Sequence, residues 1–390
     1  MFRVASDSGQ TWNGTRRQVA LLASLLQFFW VSNPIILREP LDGGAQIERW
    51  SGLPARPGSR LRVRPVTILP SAPSESHPPG GDTPPRVLFV GAMGRSGSTV
   101  LELMLGALGP FIGVGELRYL WQMGLVENRL CECGEPFQSC SFWRQVGEEA
   151  FDGWHIDPHR VLAIKTKLER HRSLPALWRH KQTGPAAEEF IWYTGVLAKL
   201  YAGIQKISGS PVIVDSSKTP PYLFALRKVP NLDLRLLHLV RDPRGVVYSW
   251  KKRVQRPDVV EGQSYMPTYS TSKSVVLWVD YNVMYHLAGK LGVPRRFLRY
   301  EDFIADPRAG VSKVLDLVDV TVREEDLRAT ESQSVPVRGS HAIGGNPVRF
   351  GAREMVLKLD VEWKRALTPG VKRSVYAATF PLVRSYGYSE

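Results

Sequence analysis

Cysteine is scarce in this sequence: only three occur among 390 residues, too few for a fold framed by disulfide bonds. A reducing compartment is therefore predicted, and we expect a cytoplasmic protein. All three lie in the segment CECGEPFQSC, as Cys131, Cys133 and Cys140. Because no fourth cysteine or histidine follows at a usual zinc spacing, the segment predicts a structural loop with buried thiols. A metal site stays open as the alternative.

Long apolar runs are also missing. The nearest candidate, RRQVALLASLLQFFWV, has an apolar stretch of about 14 residues, whereas a membrane-spanning helix needs about 20. The two arginines before it are typical of a signal peptide, but no small-x-small cleavage site follows. Membrane association through residues 18–31 is therefore a secondary prediction.

Clusters of basic residues are absent as well. Lysine and arginine outnumber acidic residues by 51 to 37, which gives a net charge of +14, yet they are scattered along the chain. Nucleic-acid-binding proteins usually concentrate this charge in a patch or stripe. We therefore expect no nucleic-acid partner. The excess positive charge also suits a protein that handles polyanionic small molecules.

The composition divides the chain into two regions. Proline, serine and glycine dominate PVTILPSAPSESHPPGGDTPP, at residues 65–85, which is typical of a linker. The residues before it show little apolar periodicity. We therefore predict a poorly ordered appendage with a linker over residues 1–84 and a folded domain over residues 85–390.

The second region alternates between strand-like and helix-like segments. The strand-like ones are RVLFV, PVIVD, LRLLHLV and RRFLRYEDF. Helical patterns begin at Ser98, Pro243 and Pro307, another covers Ala186–Ile207, and a further one closes at Gly292. This alternation predicts an α/β fold with three α/β/α layers around a central parallel sheet. Ligands of such sheets bind beyond the carboxyl ends of the strands.

The segment GAMGRSGSTVLE joins the first strand to the first helix. A Walker A loop reads G-x-x-x-x-G-K-[ST], but here Ser98 follows Gly97, and the cation, Arg95, comes earlier. Backbone N–H groups at the start of the helix can bind an anion with the help of the helix dipole. The segment therefore predicts an anion site, and the alternative is a tight turn capped by a serine.

A second basic segment is LLHLVRDPRGVVYSW. Arg241 follows a buried strand, and Ser249 comes eight residues later in the predicted helix. A cation at the strand end and a hydroxyl on the near face of the helix can together bind a second phosphate. Alone the pattern is weakly specific, because Arg-Asp turns often form only salt-bridged corners.

The order GRSGSTVLE, VRDPRGVVYSW, LRYEDFIADP resembles the sulfotransferases that use 3′-phosphoadenylyl sulfate (PAPS). The resemblance covers roughly residues 86–350 and implies a P-loop-like sulfotransferase fold. It implies that the 5′-phosphosulfate is bound by Arg95, Ser96, Gly97, Ser98 and Thr99. It also implies that the 3′-phosphate is bound by Arg241 and Ser249, joined by Arg253 one turn farther along the same helix. Tyr300 resembles the family's adenosine-side tyrosine.

The late segment GSHAIGGNPVRFG resembles the flexible loop that closes over the 3′-phosphate in this family. The glycines, including Gly345, would let the backbone approach the nucleotide, and Arg349 would supply charge. Asn346 lies between them and is assigned to the same loop.

The acceptor hydroxyl needs a base, and the family resemblance suggests Glu116. Its GELR segment is similar to the GEETR of tyrosylprotein sulfotransferases, which carry their base on that glutamate. The alternative is a surface glutamate paired with Arg118. His341, in the presumed lid loop, is the other candidate base, whereas His238, in a predicted buried strand, suits the core.

Lys218, in VDSSKTPP, resembles the family lysine that neutralises charge on the leaving phosphate oxygen. The alternative is a solvated lysine at a strand end. Arg95, Glu116 and Lys218 are therefore the predicted catalytic residues. Because a sulfonate carries less charge than a phosphoryl group, we expect no metal requirement.

These patterns predict an enzyme that transfers the sulfonate of PAPS to a hydroxyl acceptor, such as a glycan, glycolipid or other small molecule, and releases PAP. One alternative is a P-loop kinase, for which PVIVDSSK is the best candidate acidic strand. Another is a nucleotide-binding or scaffolding protein without activity. The aromatic residues between the donor motifs suit either an acceptor site or a helical core: Trp121, Phe142, Trp143, Trp154 and Trp192.

Overall fold

The computed structural model describes residues 83–170, 184–259, 262–332, 334–336, 340–350 and 354–390. Nearly all of the predicted appendage, and the apolar stretch at residues 18–31, lie outside these ranges, so both stay predictions. In the part of the chain that the structure describes, no helix has the length and apolarity needed to cross a membrane.

Five parallel strands form the central sheet, in the order β2-β3-β1-β4-β7. The strands are β1 (Arg86–Gly91), β2 (Phe111–Gly115), β3 (Val212–Asp215), β4 (Asp233–Val240), β5 (Gln255–Arg256), β6 (Ser264–Tyr265), β7 (Arg295–Arg299), β8 (Ser334–Pro336) and β9 (Glu354–Val356). β5 pairs antiparallel with β6, and β8 with β9. The predicted α/β fold with a central parallel sheet is therefore confirmed.

Helices connect the strands. They are α1 (Ser98–Gly106), α2 (Ser141–Phe151), α3 (Pro158–Leu168), α4 (Pro185–Ser208), α5 (Pro220–Leu226), α6 (Pro243–Lys251), α7 (Thr271–Lys290), α8 (Tyr300–Ala305), α9 (Pro307–Val318), α10 (Glu324–Ala329), α11 (Trp363–Ala366), α12 (Pro369–Thr379) and α13 (Leu382–Ser385). Short 3₁₀ turns cover Leu117–Tyr119, Phe137–Ser139 and Pro347–Phe350, and a π-helical turn covers Leu120–Val126.

Both faces of the sheet are covered because alternate strand side chains point to opposite sides. Leu88 and Val90 of β1 pack with Leu101 of α1 and Val311 of α9 in one buried core. On the opposite face, Phe89 contacts the ring of Tyr222 in α5, and His238 contacts that of Tyr285 in α7. This gives the three predicted layers.

The helix starts follow the sequence signals. Pro243 occupies the first turn of α6, and the carboxylate of Asp242 accepts a hydrogen bond from the Arg244 backbone N–H at 2.8 Å. Gly292, just beyond α7, has a φ of +91°, which suits glycine at a helix end. One boundary was predicted wrongly: RRFLRYEDF is not all strand, since β7 ends at Arg299 and Tyr300 begins α8.

β2 was not predicted as a strand. Its sequence, FIGVG, contains two glycines and is typical of a turn, but Phe111–Gly113 pair in parallel register with Val212–Val214 of β3. Because every strand of the central sheet runs the same way, the residues that follow β1, β2, β3, β4 and β7 all emerge at one edge. That edge carries the predicted site.

Candidate active site

The loop after β1 has an unusual backbone. Arg95 and Gly97 both lie in the left-handed region, with φ values of +73° and +88°, and α1 begins at Ser98. A Cβ atom on Gly97 would lie 2.4 Å from Cδ2 of Tyr300. Glycine is therefore required at this position for two reasons, its backbone conformation and the close approach of a neighbouring ring.

Two buried polar atoms in this loop lack hydrogen-bond partners among the described residues. They are Nε of Arg95 and Oγ of Ser96, and Ser96 is only 1% exposed. Buried polar groups usually have partners, so such atoms at the N-terminus of α1 indicate a place for a bound anion. The hydroxyls of Ser98 and Thr99 belong to the first turn of the same helix.

Arg95 is held between an aromatic ring and a carboxylate. Its guanidinium lies 5.2 Å from the ring centroid of Trp250, whose indole N–H donates to the Gly94 carbonyl at 2.9 Å. Burial lowers the pKa of Arg95, and the charge of Glu116 opposes this shift. The catalytic glutamate predicted from the sequence therefore lies within electrostatic reach of the loop cation.

Arg241, directly after β4, connects two parts of the site. Its Nη1 donates to the backbone carbonyl of Arg95 at 2.9 Å, and its guanidinium lies 4.7 Å from the ring centroid of Tyr300. Its Nη2 forms an ion pair with Asp360 at 2.9 Å. Burial alone would raise the pKa of Asp360, but the hydrogen bond and charge of Arg241 outweigh it and lower that pKa.

Ser249 lies half-buried in α6, as predicted, but Arg253 does not belong to that helix. α6 ends at Lys251, and Lys252 is already extended, with a ψ of 129°. Arg253 is exposed, and its guanidinium lies 3.9 Å from the ring centroid of Tyr265. The prediction that it continues one turn along the same helix is wrong.

Glu116 and Lys218 meet at the sheet edge. They follow β2 and β3, and Nζ of Lys218 lies 2.6 Å from Oε1 of Glu116. Nζ also donates to the carbonyl of Ser216 at 2.9 Å. Neither alternative reading fits, because Arg118 pairs with Glu169 instead, and Lys218 is only 8% exposed. The structure therefore brings the two predicted catalytic side chains into direct contact.

Glu102 was not predicted, although it organises the same edge from inside α1. It is 1% exposed; its Oε1 accepts from the Gly115 N–H at 2.6 Å, and its Oε2 accepts from the Ser216 hydroxyl at 2.5 Å. It therefore fixes the ends of β2 and β3, from which Glu116 and Lys218 extend. The available signal was an acidic residue within the otherwise apolar STVLELML.

Arg349 has a different environment from the predicted one. Its side chain is fully buried, with Nη2 paired to Glu102 at 2.5 Å and Nη1 to Glu132 at 2.8 Å. Burial disfavours its charge, but both carboxylates outweigh this and raise the pKa of Arg349. Two ion pairs already engage the charge that was predicted to contact a 3′-phosphate, so the structure places Arg349 in a buried structural cluster instead.

The remainder of this late loop lies against Glu116. The Glu116 N–H donates to the Ile343 carbonyl at 2.8 Å, and a Cβ atom on Gly345 would lie 3.6 Å from Oε1 of Glu116. The Asn346 side-chain oxygen accepts from the Val348 N–H at 3.2 Å. Gly345 and Asn346 therefore sit beside the predicted base, and whether they contact a nucleotide stays a prediction.

The other sequence candidates lie in the core. His238 is fully buried between Asn282 and Arg295, and burial lowers its pKa, as expected for a core histidine. Of the aromatic candidates, Trp121, Phe142 and Trp143 are buried, and Trp121 packs edge-on against Trp154. A helical core therefore accounts for these rings. Trp192 is half-buried under the Arg160 guanidinium, at 4.2 Å.

One group of side chains could hold a metal ion. Cys131, Cys133 and Cys140 converge with His341, which comes from the late loop. The rival base is therefore directed at thiols, with Nδ1 3.3 Å from Sγ of Cys140.

Comparisons with known proteins agree on one class. The sulfotransferase domain of an olefin synthase from Synechococcus PCC 7002 has a TM-score of 0.46 and 17% identity, covering 81% of this chain and all of its own. A Mycobacterium tuberculosis sulfotransferase, STF1, gives 0.37 and 14%, covering 76% and 77%. A mouse sulfotransferase complexed with PAP, SULT7A1, gives 0.37 and 10%, covering 78% and 89%.

No curated protein matches the chain. The family model described as "Sulfotransferase family" matches residues 85–324, which is more than half of the 390 residues. The chain therefore belongs to the sulfotransferase family.

Proposed function

We propose that this protein transfers the sulfonate of PAPS to a hydroxyl group of a glycan, a glycolipid or another small molecule, and releases PAP. The observation that carries the proposal is the juxtaposition at the sheet edge. Unpartnered buried donors of Arg95 and Ser96 lie at the N-terminus of α1, and the Glu116 guanidinium-side neighbour, Lys218, forms an ion pair with that glutamate.

The phosphosulfate binds at the loop after β1. Arg95 and Ser96 offer the side-chain donors, and Gly97, Ser98 and Thr99 offer backbone N–H groups at the start of α1. The positive end of the helix dipole adds to this attraction. This assignment gives the two unpartnered buried atoms a ligand.

The 3′-phosphate is bound by Arg241 and Ser249. Arg241 holds the Arg95 carbonyl with one nitrogen and Asp360 with the other, so it is fixed beside the phosphosulfate loop. A phosphate dianion competes with Asp360 for this cation, since both are acceptors for the same guanidinium. Tyr300, packed on Gly97 and under Arg241, forms the adenosine side.

The transfer is an in-line displacement at sulfur. The acceptor oxygen forms a bond to sulfur while the bond from sulfur to the bridging phosphate oxygen breaks, and its electron pair stays on PAP. Glu116 takes the acceptor proton through Oε2, because Oε1 is bonded to Lys218. Lys218 stabilises the charge that develops on the leaving oxygen, and Arg95 that on the sulfonate.

The kinase alternative has little support at the expected metal ligand. Asp215 ends β3, where a Walker B acid would stand, but it is 0% exposed. One oxygen accepts from the Tyr201 hydroxyl at 2.5 Å and the other from the Ser217 N–H at 2.8 Å and hydroxyl at 2.5 Å. A carboxylate engaged in this way has no free face for Mg²⁺. Cytoplasmic location and independence from metal stay predictions.

A transfer assay tests the proposal. The purified chain is incubated with PAPS and a panel of sugars, glycolipids and phenols, and both PAP and sulfonated products are measured by mass spectrometry. We expect equal amounts of PAP and one product class, with EDTA making no difference to the rate. Transfer of phosphate from ATP, with no product from PAPS, would contradict the proposal. PAP binding without any product would favour a binding protein instead.

A further inference from the structure

The three cysteines and His341 form a cluster that the transfer reaction does not use. We propose that it is a structural zinc site with a Cys₃His ligand set. All four donor atoms lie within 4.8 Å of one another. The cysteines come from the turn between the π-helical segment and α2, and the histidine comes from the late loop.

The distances match a tetrahedral ion. Zn–S bonds of about 2.3 Å and a Zn–N bond of about 2.0 Å separate two sulfurs by about 3.8 Å and a sulfur from the nitrogen by about 3.5 Å. Sγ of Cys133 lies 3.6 Å from Sγ of Cys140. Nδ1 of His341 lies 3.3 Å from Cys140 and 3.8 Å from Cys131. Thiolates with one imidazole are a typical zinc ligand set.

The surrounding backbone shapes a metal-binding turn. The Gly134 N–H donates to the Cys131 carbonyl at 2.9 Å, and Gly134 has a φ of +92°. This tight turn returns the chain so that Cys131 and Cys133 face Cys140, which precedes α2. The loop thus positions three thiols before the histidine is added.

His341 is oriented by contacts outside the cluster. Its ring stacks on Phe142 with centroids 4.6 Å apart and planes 9° from parallel, and its carbonyl accepts from the Trp143 indole at 2.8 Å. These contacts fix both the ring and the backbone, so Nδ1 is held toward the thiols. The histidine lies 201 residues after Cys140, which is why spacing in the sequence did not reveal it.

Four protein ligands close a tetrahedral shell and leave no position for a substrate, so the ion is structural. It would join the cysteine turn to the loop beside Glu116. Between two of its ligands, Glu132 donates its N–H to the Ala342 carbonyl at 3.1 Å and accepts from Ser340 at 2.7 Å. Ile343, two residues after His341, accepts the Glu116 N–H. This effect on Glu116 rests on the proposed function; the zinc site does not.

Metal analysis of the full chain tests the site. Protein purified under reducing conditions without chelator is expected to contain one zinc per chain by plasma mass spectrometry. Replacement by Co²⁺ is expected to give the visible bands of a tetrahedral ion and near-ultraviolet thiolate-to-cobalt bands. Cys133→Ser, at the least buried thiol, and His341→Ala should lower the zinc content. The exposed His159→Ala is the control and should retain one zinc.

Wild-type protein with reduced thiols that takes up neither Zn²⁺ nor Co²⁺ would overturn the site, as would a disulfide among these cysteines. The wild-type cobalt spectrum decides the matter even if a variant does not fold. A second readout separates this proposal from the proposed function. Zinc without PAP binding would leave the site and remove the function, whereas PAP binding without zinc would do the reverse.

Discussion

At the scale of single residues, the ion pair of Glu116 and Lys218 is the feature closest to chemistry. Glu116→Gln keeps the size of the side chain but removes its capacity to accept a proton. We expect turnover with PAPS to fall by about 10²- to 10⁴-fold, the usual contribution of a general base. PAP affinity should change little. The measurements are the rate of PAP release with a saturating acceptor and PAP binding by calorimetry.

Lys218→Ala provides a companion test, because the lysine acts on the leaving group. We expect a loss of about 10²- to 10³-fold in turnover, as for removal of one stabilising donor. The matched control is Lys206→Ala, whose side chain is 68% exposed and pairs with Glu149. If Lys206→Ala and Lys218→Ala lost activity equally, the catalytic assignment would fail.

Gly97 tests the backbone of the phosphosulfate loop. Gly97→Ala places a methyl group against Tyr300 at a φ of +88°, so we expect a loss of about 1–3 kcal/mol in unfolding free energy and weaker PAP binding. Gly106→Ala is the control, since no atom lies within 4 Å of its added Cβ. Chemical denaturation measures both variants. Equal stability in the two variants would contradict the expected strain.

Asp215 makes a prediction about pH. Burial raises its pKa from 3.8 to about 6 in the folded protein, so the folded state binds a proton more tightly than the unfolded state. The contribution of Asp215 to stability is therefore greatest below pH 3.8 and is lost as the pH rises through 6. Relative to Asp215→Asn, the wild type should lose up to about 3 kcal/mol between pH 4 and 7.

The measurement is the difference in unfolding free energy between the two proteins across that pH range. A difference that stays constant, or that grows in favour of the wild type with rising pH, would show that the carboxyl group is not protonated more readily in the folded state.

At the scale of elements, local sequence signals identified most of the sheet and helices. β1, β3 and β4 are apolar runs, and Pro243 and Pro307 mark helix starts, because these signals are local. β2 was missed because its glycines suggest a turn, and only pairing with β3 makes it a strand. The placement of Arg253 failed for a related reason: periodicity does not reveal that α6 stops at Lys251.

The late loop shows a different limit. Its glycines and Arg349 suggested a flexible lid, but Arg349 bridges Glu102 and Glu132, which belong to distant parts of the chain. Arg349→Met leaves two buried carboxylates without their cation, so we expect a loss of about 3–5 kcal/mol in unfolding free energy. Arg323→Met, at a 74% exposed side chain, should change it by at most about 0.5 kcal/mol.

Denaturant titrations of both variants give these values. A small effect of Arg349→Met on stability, together with a large loss of PAP affinity, would restore the phosphate-binding role predicted from the sequence.

At the scale of the whole molecule, the parallel sheet explains why separate motifs act together. Arg95, Glu116, Lys218 and Arg241 follow four different strands, and the shared strand direction brings them to one edge. The sequence predicted this edge from the alternation of strands and helices. It could not predict the contact between Glu116 and Lys218, or the approach of His341 to the cysteines, because both depend on tertiary packing.

The most direct test of the central claim is calorimetric titration of the full chain with PAP and with ADP, each without and with Mg²⁺. The proposed site predicts tight, metal-independent binding of PAP and little affinity for ADP, because Arg241 and Ser249 would contact a 3′-phosphate that ADP lacks. Tighter binding of ADP, dependent on Mg²⁺, would contradict the account and favour a phosphotransferase.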